Sequence, residues 1–119
     1  MVKTLSQNSL STPLFKRYTF VMKYRVRAKV SVYPTAAAPW YLIYLPKKKS
    51  VEIKKRFGAK QRGWSSLPVE VTIRKTSWRT SIFFDRRAES YILPLKVGIR
   101  RKEEIGEGDE ITFSLEIKV

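Results

Sequence analysis

GWSSLPVEVTIRKTSWRTSIFFDRRAESYILPLK, residues 63–96, contains the clearest structural signal in this 119-residue chain. Apolar and polar residues alternate through VEVTIR (69–74) and again through SWRTSIFF (77–84), on either side of a polar turn near Lys75 and Thr76. Successive side chains of a strand point to opposite faces, so two alternating runs around a short turn predict a β-hairpin. One face of this hairpin is apolar and must be covered by the rest of the chain.

Further strands are predicted from similar patterns. Residues 18–33 and 110–119 alternate, WYLIYL (40–45) is a continuous apolar run, and YILP (91–94) is a brief strand. Closing such one-sided strands into a barrel buries their apolar faces and removes free edges. We therefore predict an all-β fold, a small closed or partly open β-barrel of five to seven strands with one or two short helices.

Two short helices are predicted between the strands. The first begins at Ser50, a residue type that caps helix N-termini, and stops at Gly58. Ile53 and Phe57 are four residues apart and form its buried side. The second helix spans residues 95–105 and leads into the final strand.

The length of the chain predicts a single domain, residues 18–119. Residues 1–17 are polar and aperiodic and are expected to form a flexible leader, with Met22 a candidate for the natural start. No apolar run approaches the roughly 18 to 20 residues of a membrane span. The first 21 residues lack the features of a signal peptide, so we expect a cytoplasmic protein without a membrane span.

The composition argues against catalysis and against bound metals or cofactors. The chain has no cysteine and no histidine, which removes the usual nucleophile–base pairs and nearly every zinc site. The acidic cluster in residues 103–110 flanks a helix end and a turn and is interpreted as solvated carboxylates. We expect no enzyme activity, no catalytic residues, no metal site and no cofactor.

The net charge of +15 is concentrated in the first half of the chain, where residues 22–62 carry twelve cations and one acid. This excess favours a polyanionic partner such as nucleic acid, or an acidic membrane surface. High solubility is the alternative explanation.

Two groups of cations are candidate nucleic-acid-binding residues. One group lies on the polar face of the first strand at a spacing of about 7 Å, twice the rise per residue, which is near the phosphate repeat of an extended single strand. The same charges would also protect an edge strand from aggregation. The other group lies on the first helix, which either contacts a polyanion or is simply solvated. The candidates are Lys23, Arg25, Arg27, Lys29, Lys54, Lys55 and Arg56.

Five blocks of sequence resemble the DUF1905 family, a domain of unknown function: SVEIKKRFG, RGWSSLPVEVTI, SWRTSIF, YILPLK and EGDEITFSLEI. The resemblance implies a small β-barrel with one or two short helices, and it implies no activity. The family usually has a glycine turn where this chain has Arg74 and Lys75, so a tight turn is not expected there. It usually has proline in place of Phe84, which alters the expected loop at Asp85.

A second candidate site consists of residues within these blocks. If the outward face of the hairpin looks towards the start of the second helix, its polar side chains form an anion-binding patch beside aromatic walls. Alternatively, Trp78 belongs to the core and the cations bind loop carbonyls. The candidate ligand-binding residues are Trp78, Arg79, Ser81, Tyr91 and Lys96. The sequence favours non-specific binding of nucleic acid or another polyanion, with a small anionic ligand or a protein partner as the alternative.

Overall fold

The computed structural model describes residues 23–119, which form a closed antiparallel barrel. The predicted leader and residues 18–22 of the first predicted strand lie outside the described residues. The elements are β1 (Lys23–Tyr33), β2 (Trp40–Tyr44), α1 (Lys47–Phe57), β3 (Ser66–Ile73), β4 (Thr76–Asp85), β5 (Ser90–Pro94), α2 (Val97–Glu103) and β6 (Glu110–Ile117). Neighbouring strands follow the order β1-β2-β5-β4-β3-β6, and β6 closes the barrel on β1. The prediction of a small all-β barrel with one or two short helices is therefore confirmed.

The barrel interior is built from the alternating apolar residues. In the β3–β4 hairpin, Leu67 lies opposite Ile82 and both are fully buried. Val71 lies opposite Trp78, and on its other side opposite Leu115 of β6. Trp78 shares the inward face of β4 with Ile82, but it is only partly buried and packs against the core. Period-two alternation thus gave the correct inward face for each of these strands.

The first helix begins earlier than predicted. It starts at Lys47, directly after Pro46, whereas the prediction placed its N-cap at Ser50. Ser50 is instead fully buried inside the helix, and its hydroxyl oxygen accepts a hydrogen bond from the Tyr91 N–H at 3.0 Å. A serine that satisfies a buried backbone donor resembles an N-cap in sequence, which explains the error. Ile53 and Phe57 form the buried side of α1, as expected.

The second helix is shorter than the predicted 95–105 span. Leu95 lies before the helix, and its N–H donates to the carbonyl of Tyr41 at 2.9 Å. The helix ends where Glu104 adopts a left-handed backbone with φ 54°. Leu95 and Ile105 flank the helix and are both buried, so the apolar anchors lie outside it.

The β3–β4 turn is tight, contrary to the prediction. Ile73 pairs directly with Thr76, which leaves a connection of only Arg74 and Lys75. Arg74 takes a left-handed conformation with φ 52°, which is unfavourable for a residue with a Cβ. Its guanidinium donates to the side chain and to the carbonyl of Glu103, each at 2.9 Å. These contacts to α2 offset the strain and tie the turn to the helix.

The two helices lie at opposite ends of the barrel. Because α1 follows β2, α2 follows β5, and these two strands are antiparallel neighbours, the chain leaves the sheet in opposite directions. None of the helices in residues 23–119 is long and apolar enough to cross a membrane.

Candidate functional site

The cations predicted on β1 are exposed, but β6 partly neutralises them. Lys23 lies opposite Glu116 and Lys29 lies opposite Glu110 in the β1–β6 register. Glu110 also accepts a hydrogen bond from Arg27 at 3.0 Å. The four cations therefore share their surface with two carboxylates that the sequence of β1 cannot reveal. Of the four, Arg25 faces only the neutral Ser114.

A charge network continues across the outer face of the barrel. Glu116 lies opposite Glu70 of β3, and Glu70 lies opposite Arg79 of β4. Lys118 lies between the two carboxylates, 3.5 Å from Glu116 and 3.7 Å from Glu70. Arg79 is 3.6 Å from Glu70. Arg79 therefore neutralises a carboxylate of the adjacent strand, which reduces its capacity to bind an external anion.

The basic face of α1 is less compensated. Lys54 stacks over the ring of Phe84 at 4.1 Å from its centroid, and Arg56 is 3.7 Å from Glu52. Lys55 is exposed and has no carboxylate within ion-pair distance among the described residues. The same holds for three further cations of this segment: Lys48, Lys60 and Arg62.

Trp64 lies in the loop that follows this helix and is 91% exposed. Its backbone is left-handed, with φ 63°, and Ser65 follows with φ 51°. The loop is closed by reciprocal backbone hydrogen bonds between Arg62 and Ser66, at 2.8 and 3.3 Å. A closed loop in a strained conformation thus presents a large aromatic ring to solvent, two residues after the exposed Arg62. We call the exposed side chains of α1 and this loop the α1 surface: Lys48, Lys54, Lys55, Lys60, Arg62 and Trp64.

Sequence reasoning missed Trp64 as a site residue. A tryptophan is usually assigned to the core, and RGWSS contains no periodicity that predicts such complete exposure. The available signal was the position of the tryptophan between glycine and serine, outside every alternating run.

The five predicted ligand-binding residues have different surroundings. Tyr91 is fully buried, and its hydroxyl contacts the side-chain oxygen of Gln61. Its ring meets Phe84 edge-on, with centroids 5.1 Å apart. Trp78 packs on the core, while Ser81 lies on the outer face opposite Pro68. Tyr91 is therefore a core residue that would need a structural rearrangement to reach a ligand.

Lys96 lines a groove at the other end of the barrel. The groove has a volume of about 700 Å³ and lies between the start of β2, the end of β5 and α2. None of the other four predicted ligand-binding residues lines it. Its walls are Ala38, Pro39, Trp40, Tyr41, Pro94, Leu95, Lys96, Val97, Arg100 and Arg101. We call it the α2 groove.

The tyrosines whose pKa is raised do not provide a base near neutral pH. Burial raises the pKa of Tyr91 to about 12. Burial, followed by hydrogen bonding to Tyr33, raises the pKa of Tyr44 to about 12. Burial also raises the pKa of Tyr24, whose hydroxyl has no hydrogen-bond partner among the described residues. Within residues 23–119, no cluster of three or more acidic side chains is arranged to hold a metal ion.

Comparison with models of protein families gives a match over most of the chain. A family model described as "Domain of unknown function (DUF1905)" matches residues 26–115, which include parts or all of the six strands and both helices. No curated protein matches the sequence closely enough to serve as a relative.

Proposed function

The chain belongs to DUF1905, a family of domains of unknown function, and we propose that it binds single-stranded nucleic acid without sequence preference through the α1 surface. The observation that carries this proposal is the 91% exposure of Trp64 two residues after Arg62. Arg62, like Lys55 and Lys60, has no carboxylate within ion-pair distance among the described residues. Proteins that bind single strands combine a positive surface for the backbone with aromatic rings on which bases stack.

The cations supply the sequence-independent part of the binding. Within residues 23–119, Lys55, Lys60 and Arg62 have no carboxylate at ion-pair distance that they would have to release before they contact a phosphate. Such contacts displace condensed counterions, so affinity falls steeply with salt. They carry no sequence information, which is why we propose non-specific binding. The proposed role is binding without catalysis.

Trp64 supplies the preference for single strands. A base can stack on its ring only when the base is free of a duplex. One base–aromatic stack contributes about 1–3 kcal/mol to binding. Because the ring is exposed before binding, the protein does not have to unfold or rearrange its core to offer it.

The test is fluorescence anisotropy with a labelled oligothymidylate from about 50 to 200 mM salt, where phosphate-driven affinity changes most. Lys55→Gln with Lys60→Gln should flatten the log–log salt slope by about 1.4, because each lost contact to a single strand removes about 0.7. The matched control is Lys75→Gln with Lys102→Gln, which makes the same charge change at the α2 end of the barrel. It should leave the slope nearly unchanged.

Two further variants separate the contributions. Trp64→Ala should lower affinity by about 1–3 kcal/mol with an unchanged salt slope, because it removes a stack and no charge. Arg25→Gln with Arg27→Gln should flatten the slope by only about 0.7, because Arg27 is already paired with Glu110.

Three results would contradict the proposal. One is the absence of binding at the lowest salt. Another is an equal slope change in the α2-end control, which would mean that only overall charge matters. The third is binding to heparin as tight as to the oligonucleotide, together with no effect of Trp64→Ala on either ligand. That result would identify a general polyanion-binding surface without base stacking.

A further inference from the structure

We propose that the α2 groove is a separate binding site for a small ligand that carries a planar ring and an anionic group, of the chemical class of a nucleoside monophosphate. The groove lies at the opposite end of the barrel from the α1 surface. It therefore does not depend on single-strand binding, and each site can be tested while the other is intact.

The charge of the groove favours an anion. Lys96, Arg100 and Arg101 line it, and no acidic side chain is among its lining residues. None of these three cations has a carboxylate within ion-pair distance among the described residues. Charged hydrogen bonds to arginine are the common means by which proteins hold phosphate groups.

Arg100 is held in place before any ligand arrives. Its guanidinium carbon lies 3.6 Å from the centroid of the Tyr41 ring, a close cation–π contact. Its Nε is buried and has no hydrogen-bond partner among the described residues. Leaving a buried hydrogen-bond donor without an acceptor costs free energy. A positioned guanidinium with unused donor capacity is expected where an external anion completes the interactions.

The remaining wall favours a planar ring. Trp40 is 44% exposed at the mouth of the groove, and it lies between Pro39 and the half-buried Tyr41 in the sequence. Val97 on α2 is 50% exposed and lines the same groove. Aromatic rings gain from stacking in addition to the area that they bury. A ligand ring on Trp40 would cover apolar surface that is otherwise open to water.

The size of the groove is compatible with a small ligand. Pockets for small molecules usually have volumes of about 300–1,000 Å³, and the groove at about 700 Å³ lies within that range. A nucleoside monophosphate combines one planar ring with one phosphate, which matches one aromatic wall and one cluster of cations. An acidic peptide would meet the same charges, but it would not require Trp40 as a stacking surface.

The test is calorimetric titration of the full chain with adenosine monophosphate, with adenosine and inorganic phosphate as the two partial ligands. We expect the monophosphate to bind more tightly than either part. Arg101→Gln should weaken its binding about tenfold or more, as for the loss of a hydrogen bond to a charged group. Lys102→Gln is the matched control on the same helix, outside the groove lining, and should change affinity less than about twofold, as expected for distant, screened charges.

Trp40→Leu should weaken the binding of the monophosphate about as strongly as Arg101→Gln does. It should leave the binding of inorganic phosphate unchanged. Trp64→Ala, which alters the α1 surface, should leave monophosphate binding unchanged. The proposal is overturned if the monophosphate binds no better than phosphate, or if its affinity survives both groove variants. It is also overturned if Trp64→Ala removes the binding of the monophosphate. The same holds if an acidic peptide binds instead, with an affinity that Trp40→Leu does not change.

Loss of folding does not confuse these results. Arg101 is exposed and makes no ion pair among the described residues, so Arg101→Gln should retain the wild-type circular dichroism spectrum. If Trp40→Leu fails to fold, Arg101→Gln and its Lys102→Gln control still decide between the outcomes.

Discussion

Replacing Ser50 by alanine tests how α1 is attached to the barrel. Ser50 is fully buried, and its hydroxyl oxygen accepts a hydrogen bond from the Tyr91 N–H at 3.0 Å. The last residue pair between β2 and β5 joins Tyr44 to Ile92, so Tyr91 lies where the ladder ends. Its N–H therefore depends on the helix for an acceptor. Ser50→Ala removes that acceptor and leaves the rest of the contact intact.

The expected cost follows from two opposing effects. A buried N–H without an acceptor costs about 1–3 kcal/mol. Alanine is a better helix former than serine by about 0.5 kcal/mol, which offsets part of that cost. The net loss of unfolding free energy should be about 0.5–2.5 kcal/mol, which follows from those two magnitudes. For a domain of this size, each kcal/mol lowers the midpoint of thermal unfolding by about 4–8 °C.

The assay is urea denaturation combined with hydrogen exchange of the Tyr91 amide. We expect a lower midpoint with an unchanged m-value, together with faster exchange at that amide. Ser77→Ala is the matched control, because the Ser77 hydroxyl also makes a hydrogen bond, to Thr72 at 2.8 Å, but on the exposed outer face. It should change stability by less than about 0.5 kcal/mol, as is usual for surface substitutions. Equal or greater stability of Ser50→Ala would refute the role assigned to this hydroxyl.

Two further predictions concern Trp78 and Glu103. Trp78→Ala should cost about 2 kcal/mol in urea denaturation, less than the roughly 3–5 kcal/mol of a fully buried large aromatic, because the ring is only partly buried; a loss within the full range would mean that the ring is part of the closed core. The hydroxyl of Thr76, followed by the guanidinium of Arg74, holds the pKa of Glu103 below its ordinary value of 4.5. The ionised form therefore stabilises the fold above the ordinary pKa, and this contribution is lost as pH falls through the lowered value. Urea midpoints of wild type and Glu103→Gln should differ at neutral pH and converge in strong acid; a constant difference would contradict the assignment.

Much of the barrel could be predicted because its residues alternate. Val69, Val71 and Ile73 are buried, and Glu70 and Thr72 between them are partly exposed. This pattern depends only on the geometry of a single strand. Helix boundaries were harder to predict than strands, because the start of α1 depends on Pro46 and on a buried hydrogen bond to a distant strand. A sequence shows the type of a capping residue, but not whether its hydroxyl satisfies its own helix or another element.

The candidate sites were predicted less well because they depend on contacts between distant segments. The α2 groove joins two distant segments of the chain, residues 38–41 with Trp40 and residues 94–101 with Lys96 and Arg101. Periodicity within one segment contains no information about which distant segments come into contact. Lys96 was predicted to belong to a ligand site, but the other residues of that set have different neighbours. The candidate nucleic-acid-binding residues predicted from the sequence were all cations, and Trp64 became evident only from its exposure.

Closure of the barrel changes how the charge that is uneven along the sequence is distributed in space. The acids of the second half do not stay apart from the cations of the first half, because β6 pairs with β1 and brings Glu110 and Glu116 beside them. A basic strand in sequence is therefore part of a mixed surface in space. The α1 segment is less compensated: among the described residues, Lys47 is its only cation that pairs with an acid of another element, Glu89 at 3.3 Å. The contact between α1 and β5 through the buried Tyr91 adds no charge. Barrel closure thus cancels part of the charge of β1 and leaves the uncompensated excess on α1 and the Trp64 loop. For this reason a polyanion should bind at the α1 end, and the salt slope should respond more to Lys55 and Lys60 than to the cations of β1.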